Sequence, residues 1–144
     1  AYGAPEHLRP LLRDRFECVD GDIRIRAGMN YLFTRALAGR FAKRDVAAAY
    51  QRVLEDVTQE TVAYWLRKTG LTNVAVSGGV HANVKLNQRI RELDGVESVF
   101  VYPNMGDGGC GTGLALSLSR AAGAPAPTRR PGRSSRRIRC GEVS

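Results

Sequence analysis

An α/β fold, with parallel strands joined by crossover helices, is the class this sequence predicts. Three observations predict it. Two short apolar runs, Val74-Ala75-Val76 and Val99-Phe100-Val101, each end in a glycine-rich turn. Each turn opens a stretch with helical character. Ahead of both, apolar residues recur at three- and four-residue steps from Lys43 to Thr69, the spacing of one long amphipathic helix. The order helix–strand–helix–strand–helix makes the two strands parallel through a right-handed crossover. Both glycine turns then fall beyond the carboxyl ends of the strands, where such sheets bind ligands.

Each element can be justified in turn. Ala1-Tyr2-Gly3-Ala4-Pro5 reads as loop, and His7 to Phe16 as a short helix. Gly21-Asp22-Ile23-Arg24-Ile25-Arg26 alternates apolar and polar residues, as a half-exposed strand does. Met29 to Leu37 reads as helix, ending near Gly39. The stripe of the long helix holds Val46, Ala49, Tyr50, Val53, Leu54, Val57, Thr61, Val62, Trp65 and Leu66, and Gly70 stops it. Trp65 and the tyrosines of this stripe are expected in the core. Then come a strand over 73–77, a helix over 81–93, a turn at Asp94-Gly95, a strand over 97–102 and a helix over 110–122. Residues 1–122 are expected to form one partial domain, and residues 123–144 a basic, disordered tail.

Charge sharpens that division. The chain of 144 residues carries a net charge of +8. Residues 125–144 alone hold six arginines and one glutamate, so the folded body is only mildly basic. Nucleic acid is therefore expected as a partner only through the arginine-rich tail. Cys18, Cys110 and Cys140 form no C-x-x-C pair and are odd in number, which argues against a zinc site or a disulfide framework. A reduced, cytoplasmic setting is expected, with no membrane span and no signal peptide. The first residue is alanine rather than methionine, as expected of a fragment.

The chemistry lies in the two turns. The first reads Ser77-Gly78-Gly79-Val80-His81-Ala82-Asn83, the second Pro103-Asn104-Met105-Gly106-Asp107-Gly108-Gly109-Cys110. A strand that stops at glycines and restarts as a helix gathers backbone N–H groups and a positive dipole end at one point. Two such turns at one sheet edge suit a nucleotide held between them. Neither matches G-x-G-x-x-G or G-x-x-x-x-G-K-[ST]. Asp107, between glycines at a strand's end, suits either a hard metal ion bridged to phosphate or a helix N-cap. Asn83 suits either a nucleotide contact or the bracing of its own turn. His81 is read as solvent-facing rather than on a phosphate, and Cys110 as a packing residue without a histidine to activate it. Lys85 and Arg89, one turn apart, are read as a solvated helix face rather than an anion clamp.

At Gly78-Gly79-Val80-His81-Ala82-Asn83-Val84-Lys85-Leu86-Asn87 and Pro103-Asn104-Met105-Gly106-Asp107-Gly108-Gly109 the sequence resembles the O-carbamoyltransferases of nodulation-factor and antibiotic biosynthesis. Those enzymes share a nucleotide-binding domain with the tRNA threonylcarbamoyladenosine synthases. The resemblance is strongest over 73–122, looser through 43–69, and touches Ala1-Tyr2-Gly3. It implies part of an actin–hexokinase-like (ASKHA) ATPase lobe. It also implies an ATP-dependent enzyme that moves a carbamoyl group from carbamoyl phosphate, through a carbamoyl-adenylate, to a hydroxyl of a small-molecule acceptor. The implied nucleotide contacts are Gly78, Gly79, Val80, Asn83, Gly106, Gly108 and Gly109, and the implied ligand of a divalent metal, iron or magnesium, is Asp107.

The sequence also departs from the family. Its His-x-x-x-His metal pair is not present, since His7 and His81 stand far apart. Its adenylate-forming second domain has no counterpart here. This stretch alone is therefore expected to be inactive, and a homodimer is one way to cover a missing lobe. The Asn104-to-Gly109 run favours the O-carbamoyltransferases over the tRNA-modifying synthases. The expectation of a different class is an inert binding fragment that touches nucleic acid through its tail.

Overall fold

The computed structural model of this chain describes residues 3–26 and 31–125. The chain divides into two compact units, Ala1–Gly109 and Cys110–Ser144. The first contains α1 (Arg9–Arg13), β1 (Phe16–Val19), β2 (Asp22–Ile25), α2 (Tyr31–Arg40), α3 (Lys43–Thr69), β3 (Asn73–Val76), a 3₁₀ turn (Gly79–Ala82), α4 (Val84–Arg91) and β4 (Ser98–Val101). The second, as far as it is described, is the body of α5 (Gly109–Ala121), and no residue of that helix is buried. All but the first three residues of the expected tail, from Ala126 onward, lie outside the described residues, as do Met29 and Asn30 at the start of the expected helix over 29–37.

The α/β class and the parallel pair are both present. β3 and β4 run parallel in register from Asn73↔Ser98 to Val76↔Val101, with α4 as the crossover between them. Their apolar composition and short length suit a strand pair covered by helices. α3 runs over the expected residues for local reasons. Asp45 lies in its first turn and Arg67 and Lys68 in its last, matching the helix dipole. Gly70 takes φ 69° and donates its N–H to the Leu66 carbonyl, closing the last turn.

Two clusters of buried side chains flank α3. One gathers Leu8 and Leu12 of the N-terminal helical segment, Leu37 of α2, and Val46, Ala49, Val53 and Val57 of α3. The other gathers Val76 of β3 with Leu86 and Ile90 of α4, against partly buried Leu54, Val62, Val74, Val99 and Val101. A helix buried on two sides needs a wider apolar stripe than a surface helix. The second cluster seats α4 under the sheet edge that carries the first glycine turn.

Three expectations are corrected. Trp65 is not a core residue: it is 42% exposed, and its indole N–H donates to the Gly21 carbonyl at 3.2 Å. There it covers the tip of a hairpin that the alternation in 21–26 only half revealed. β1 pairs antiparallel with β2, and the two-residue turn Asp20-Gly21 has φ of 53° and 83°, the left-handed pair of a type I′ turn. The helix expected over 81–93 is shorter and interrupted. Asn83 sits in extended conformation at its N-cap, so the 3₁₀ turn precedes it and α4 begins at Val84. Lys85 and Arg89 are not a purely solvated face: both lie within ion-pair distance of Glu55 on α3.

Candidate functional site

Parallel pairing brings the two glycine turns to one edge of the β3–β4 pair. They are also tied directly: the Gly78 N–H donates to the Met105 carbonyl at 2.7 Å. Just below, the Tyr102 N–H donates to the Val76 carbonyl at 3.1 Å and continues the ladder into the second turn. Gly78 itself takes φ 104°, a conformation that side-chain-bearing residues rarely adopt. Among the described residues, no acceptor takes the backbone amides of Gly79, Val80, Asp107 or Gly108. Unengaged amides at adjoining turns form the kind of concavity that binds anions.

The first turn is braced by side chains. The Asn83 Oδ1 accepts from the Leu86 N–H at 3.1 Å, capping α4, so the bracing role considered for this residue is realised. Its Nδ2 donates to Gln51 Oε1 on α3 at 2.7 Å. Asn87 supplies a second brace. Its Nδ2 donates to the His81 carbonyl at 2.8 Å, and its Oδ1 lies 3.0 Å from His81 Nδ1. Because that Oδ1 can only accept, the proton of this contact belongs to His81 Nδ1. His81 is thus half-buried and tied to its own turn rather than freely solvent-facing. Below this turn lies an open apolar groove of about 610 Å³, with Val80 and His81 at one end and Leu54, Val62 and Val74 among its walls.

The second turn is held by backbone and by close packing. The Gly109 N–H donates to the Gly106 carbonyl at 2.9 Å. A Cβ on Gly109 would collide with the Asn104 carbonyl oxygen and stand 3.0 Å from Tyr102 Cε1, so only glycine fits there. Asp107 is exposed, and its carboxylate has no hydrogen bond or ion pair among the described residues. It precedes α5 by two positions and makes no capping bond, which removes the N-cap alternative.

The strongest electrostatic feature lies on α3 and was not anticipated from sequence. Glu55 is fully buried. Its Oε1 accepts from Gln51 Nε2 at 2.8 Å and faces Lys85 Nζ at 3.3 Å. Its Oε2 faces Arg89 Nε at 3.3 Å and Arg52 Nη1 at 3.4 Å. Lys85 and Arg89 therefore turn toward α3, which corrects their reading as a solvated face. Burial pushes the Glu55 carboxyl up, but hydrogen bonds from Gln51, Lys85 and Arg89, together with the Lys85 charge, outweigh it and hold the group below its ordinary value. The Gln51–Glu55 spacing of four residues was the available signal, since it places both on one helix face. Nothing in the sequence says that two basic residues thirty and more positions later face the same spot.

The residues present fit phosphate better than they fit a metal. Phosphate oxygens need N–H donors, and both turns present them. A metal needs several protein ligands. Among the described residues no group of three or more His, Cys, Asp or Glu side chains comes together. Asp107 would need further ligands beside its own carboxylate to hold an ion. Also among the described residues, no helix is long and apolar enough to cross a membrane.

Comparison with known proteins places this arrangement in a class. The model of the carbamoyltransferase N-terminus matches residues 22–116, both glycine turns included, and the chain belongs to that family. The nodulation protein NolO of Bradyrhizobium diazoefficiens is 32% identical over 138 residues, which is 90% of this chain and 25% of NolO. An uncharacterised protein of Methanocaldococcus jannaschii is 30% identical over 117 residues, 76% of this chain and 19% of that protein. The tRNA N6-adenosine threonylcarbamoyltransferase of Thermomicrobium roseum is 42% identical over 52 residues, 36% of this chain and 14% of its own length. The chain thus spans a quarter or less of the length of these relatives.

Proposed function

We propose that this chain is part of the nucleotide-binding domain of an ATP-dependent O-carbamoyltransferase, built on an actin–hexokinase-like lobe. The observation that carries this reading is the Gly78–Met105 hydrogen bond, which joins two glycine turns into one cradle at the carboxyl edge of a parallel strand pair. Phosphates of ATP would lie against the amides of Gly79, Val80, Asp107 and Gly108, where the absence of a Cβ at Gly79 leaves open space for close approach. Gly106 and Gly109 would shape the second turn, and Asn83 would hold the first. Asp107 would offer one carboxylate to iron or magnesium, with the remaining ligands contributed from outside the described residues. In the parent enzyme carbamoyl phosphate and ATP would give carbamoyl-adenylate in the second domain, with release of phosphate and pyrophosphate, and the carbamoyl group would then pass to a hydroxyl of a small-molecule acceptor with release of AMP.

A second reading has one specific support. The stretch of 42% identity to the tRNA N6-adenosine threonylcarbamoyltransferase of Thermomicrobium roseum points to the related tRNA-modifying reaction. It covers only 36% of this chain, whereas the likeness to NolO covers 90%. The wider coverage favours the O-carbamoyltransferase.

Calorimetric titration of ATP into the full chain, with and without magnesium or iron(II), tests the reading. Binding that strengthens with metal, and loses that dependence in Asp107→Ala, is the expected result. No binding by a folded chain overturns the nucleotide site, and unchanged metal dependence in Asp107→Ala overturns the metal assignment alone.

A further inference from the structure

A carboxylate buried between two helices usually neutralises cations, and Glu55 does that for Arg52, Lys85 and Arg89. It also does something those pairs do not require. A carboxylate only accepts hydrogen bonds, so the Gln51 side chain must point its Nε2 at Glu55 and its Oε1 away. That Oε1 then requires a donor from Asn83, and Asn83 Nδ2 supplies it at 2.7 Å. With its Nδ2 so engaged, Asn83 presents Oδ1 to the Leu86 N–H, which is an obligate donor. Both ends of the run impose one direction on the two carboxamides between them. Reversing either amide would set donor against donor, or acceptor against acceptor, within a half-buried network.

We propose that Glu55 is a positioning residue for the first glycine turn, acting through Gln51 on Asn83. The run crosses 32 positions of sequence between Gln51 and Asn83 and ends at the cap that divides the 3₁₀ turn from α4. Through it α3 determines where the helix begins, and hence where Gly79 and Val80 present their amides. The cations that face Glu55 come from both packed elements: Arg52 on α3, with Asp56 beside it, and Lys85 and Arg89 on α4, with Glu92 beside Arg89. They keep a charged acceptor at the head of the run. Only the ligand part of the test rests on the nucleotide reading above.

The experiment compares the full chain with Gln51→Ala, Glu55→Gln and the double variant Gln51→Glu/Glu55→Gln. The first readout needs no ligand: amide hydrogen exchange at Leu86, together with the side-chain NH₂ resonances of Gln51 and Asn83. Gln51→Ala should speed exchange at Leu86 by at least about fivefold while leaving the β3–β4 amides unchanged. Glu55→Gln, which removes the acceptor-only head, should move the NH₂ resonances of both Gln51 and Asn83. The double variant returns an acceptor-only group next to Asn83 and should restore the Asn83 signal and Leu86 protection. A purely structural role for Glu55 gives no such rescue. The second readout is ATP affinity, expected to weaken about tenfold in the single variants and to recover in the double. Leu86 exchange unchanged in Gln51→Ala overturns the proposal, and so does failure of the double variant to restore the Asn83 signal. If the unmodified chain binds no ATP, the nucleotide reading falls while the exchange data still decide this one. Should Glu55→Gln fail to fold, Gln51→Ala decides it.

Discussion

The two glycine turns sit at one sheet edge, yet they are held by different physics. The first is fixed by side chains reaching across long stretches of sequence, from Gln51 to Asn83 and from Asn87 to His81. It rests on Leu86 and Ile90, both fully buried, and a buried charge directs it. The second is fixed locally: the Gly109 N–H closes on Gly106, and Asn104 and Tyr102 crowd Gly109 until no side chain fits. One turn inherits its position from the core, while the other carries its shape within a few residues. Mutations should therefore propagate differently in the two.

The sharpest way to break the comparison is under the first turn. Leu86→Ala should cost about 3 kcal/mol in denaturant unfolding, because it opens a cavity at a fully buried site. The same change should weaken ATP binding through the cap above it. Gly109→Ala should cost about 1–3 kcal/mol, since the new methyl meets the Asn104 backbone oxygen and the turn must shift. If Gly109→Ala is as stable as the parent, the second turn is not sterically defined and the contrast fails.

A smaller effect separates the turns by pH. The Glu55 carboxyl is held below its ordinary value, so its contribution is complete above about pH 4.3 and is lost as pH falls through the depressed native value. Denaturant midpoints followed from pH 6 to pH 3 should decline less steeply for Glu55→Gln than for the parent chain. Equal slopes would mean that Glu55 does not titrate as a buried ion pair. The smallest expected change in stability is at Gly79→Ala, within about 0.5 kcal/mol, because nothing lies within 4 Å of the added methyl. ATP affinity should nevertheless fall, since the methyl occupies the face proposed for phosphate. Loss of stability without loss of affinity would place the ligand elsewhere.

These contrasts also mark what could be read from the chain. The bounds of α3, the parallel strands and the two turns were legible because each depends on local rules: apolar spacing, a stopping glycine and a strand that ends at glycines. The family signature was legible for the same reason, being contiguous in sequence. The Asp20-Gly21 hairpin was also legible in principle, through the dipeptide that type I′ turns favour. Trp65 misled because periodicity places a residue on a stripe without saying whether anything covers its far end. Asp107 and Asn83 were each left with two roles; hydrogen bonding shows Asn83 bracing its turn, and Asp107 makes no capping bond among the described residues.

The sequence by itself determined the α/β class, the long helix, the two glycine turns and the family to which they belong, since each is encoded by neighbours along the chain. Only the tertiary structure decided that Lys85 and Arg89 face a buried Glu55, that Gln51 meets Asn83, and that Gly78 bonds Met105. Those pairs are separated by about thirty residues. Their meeting depends on how α3, α4 and the strand pair pack, which no local spacing records.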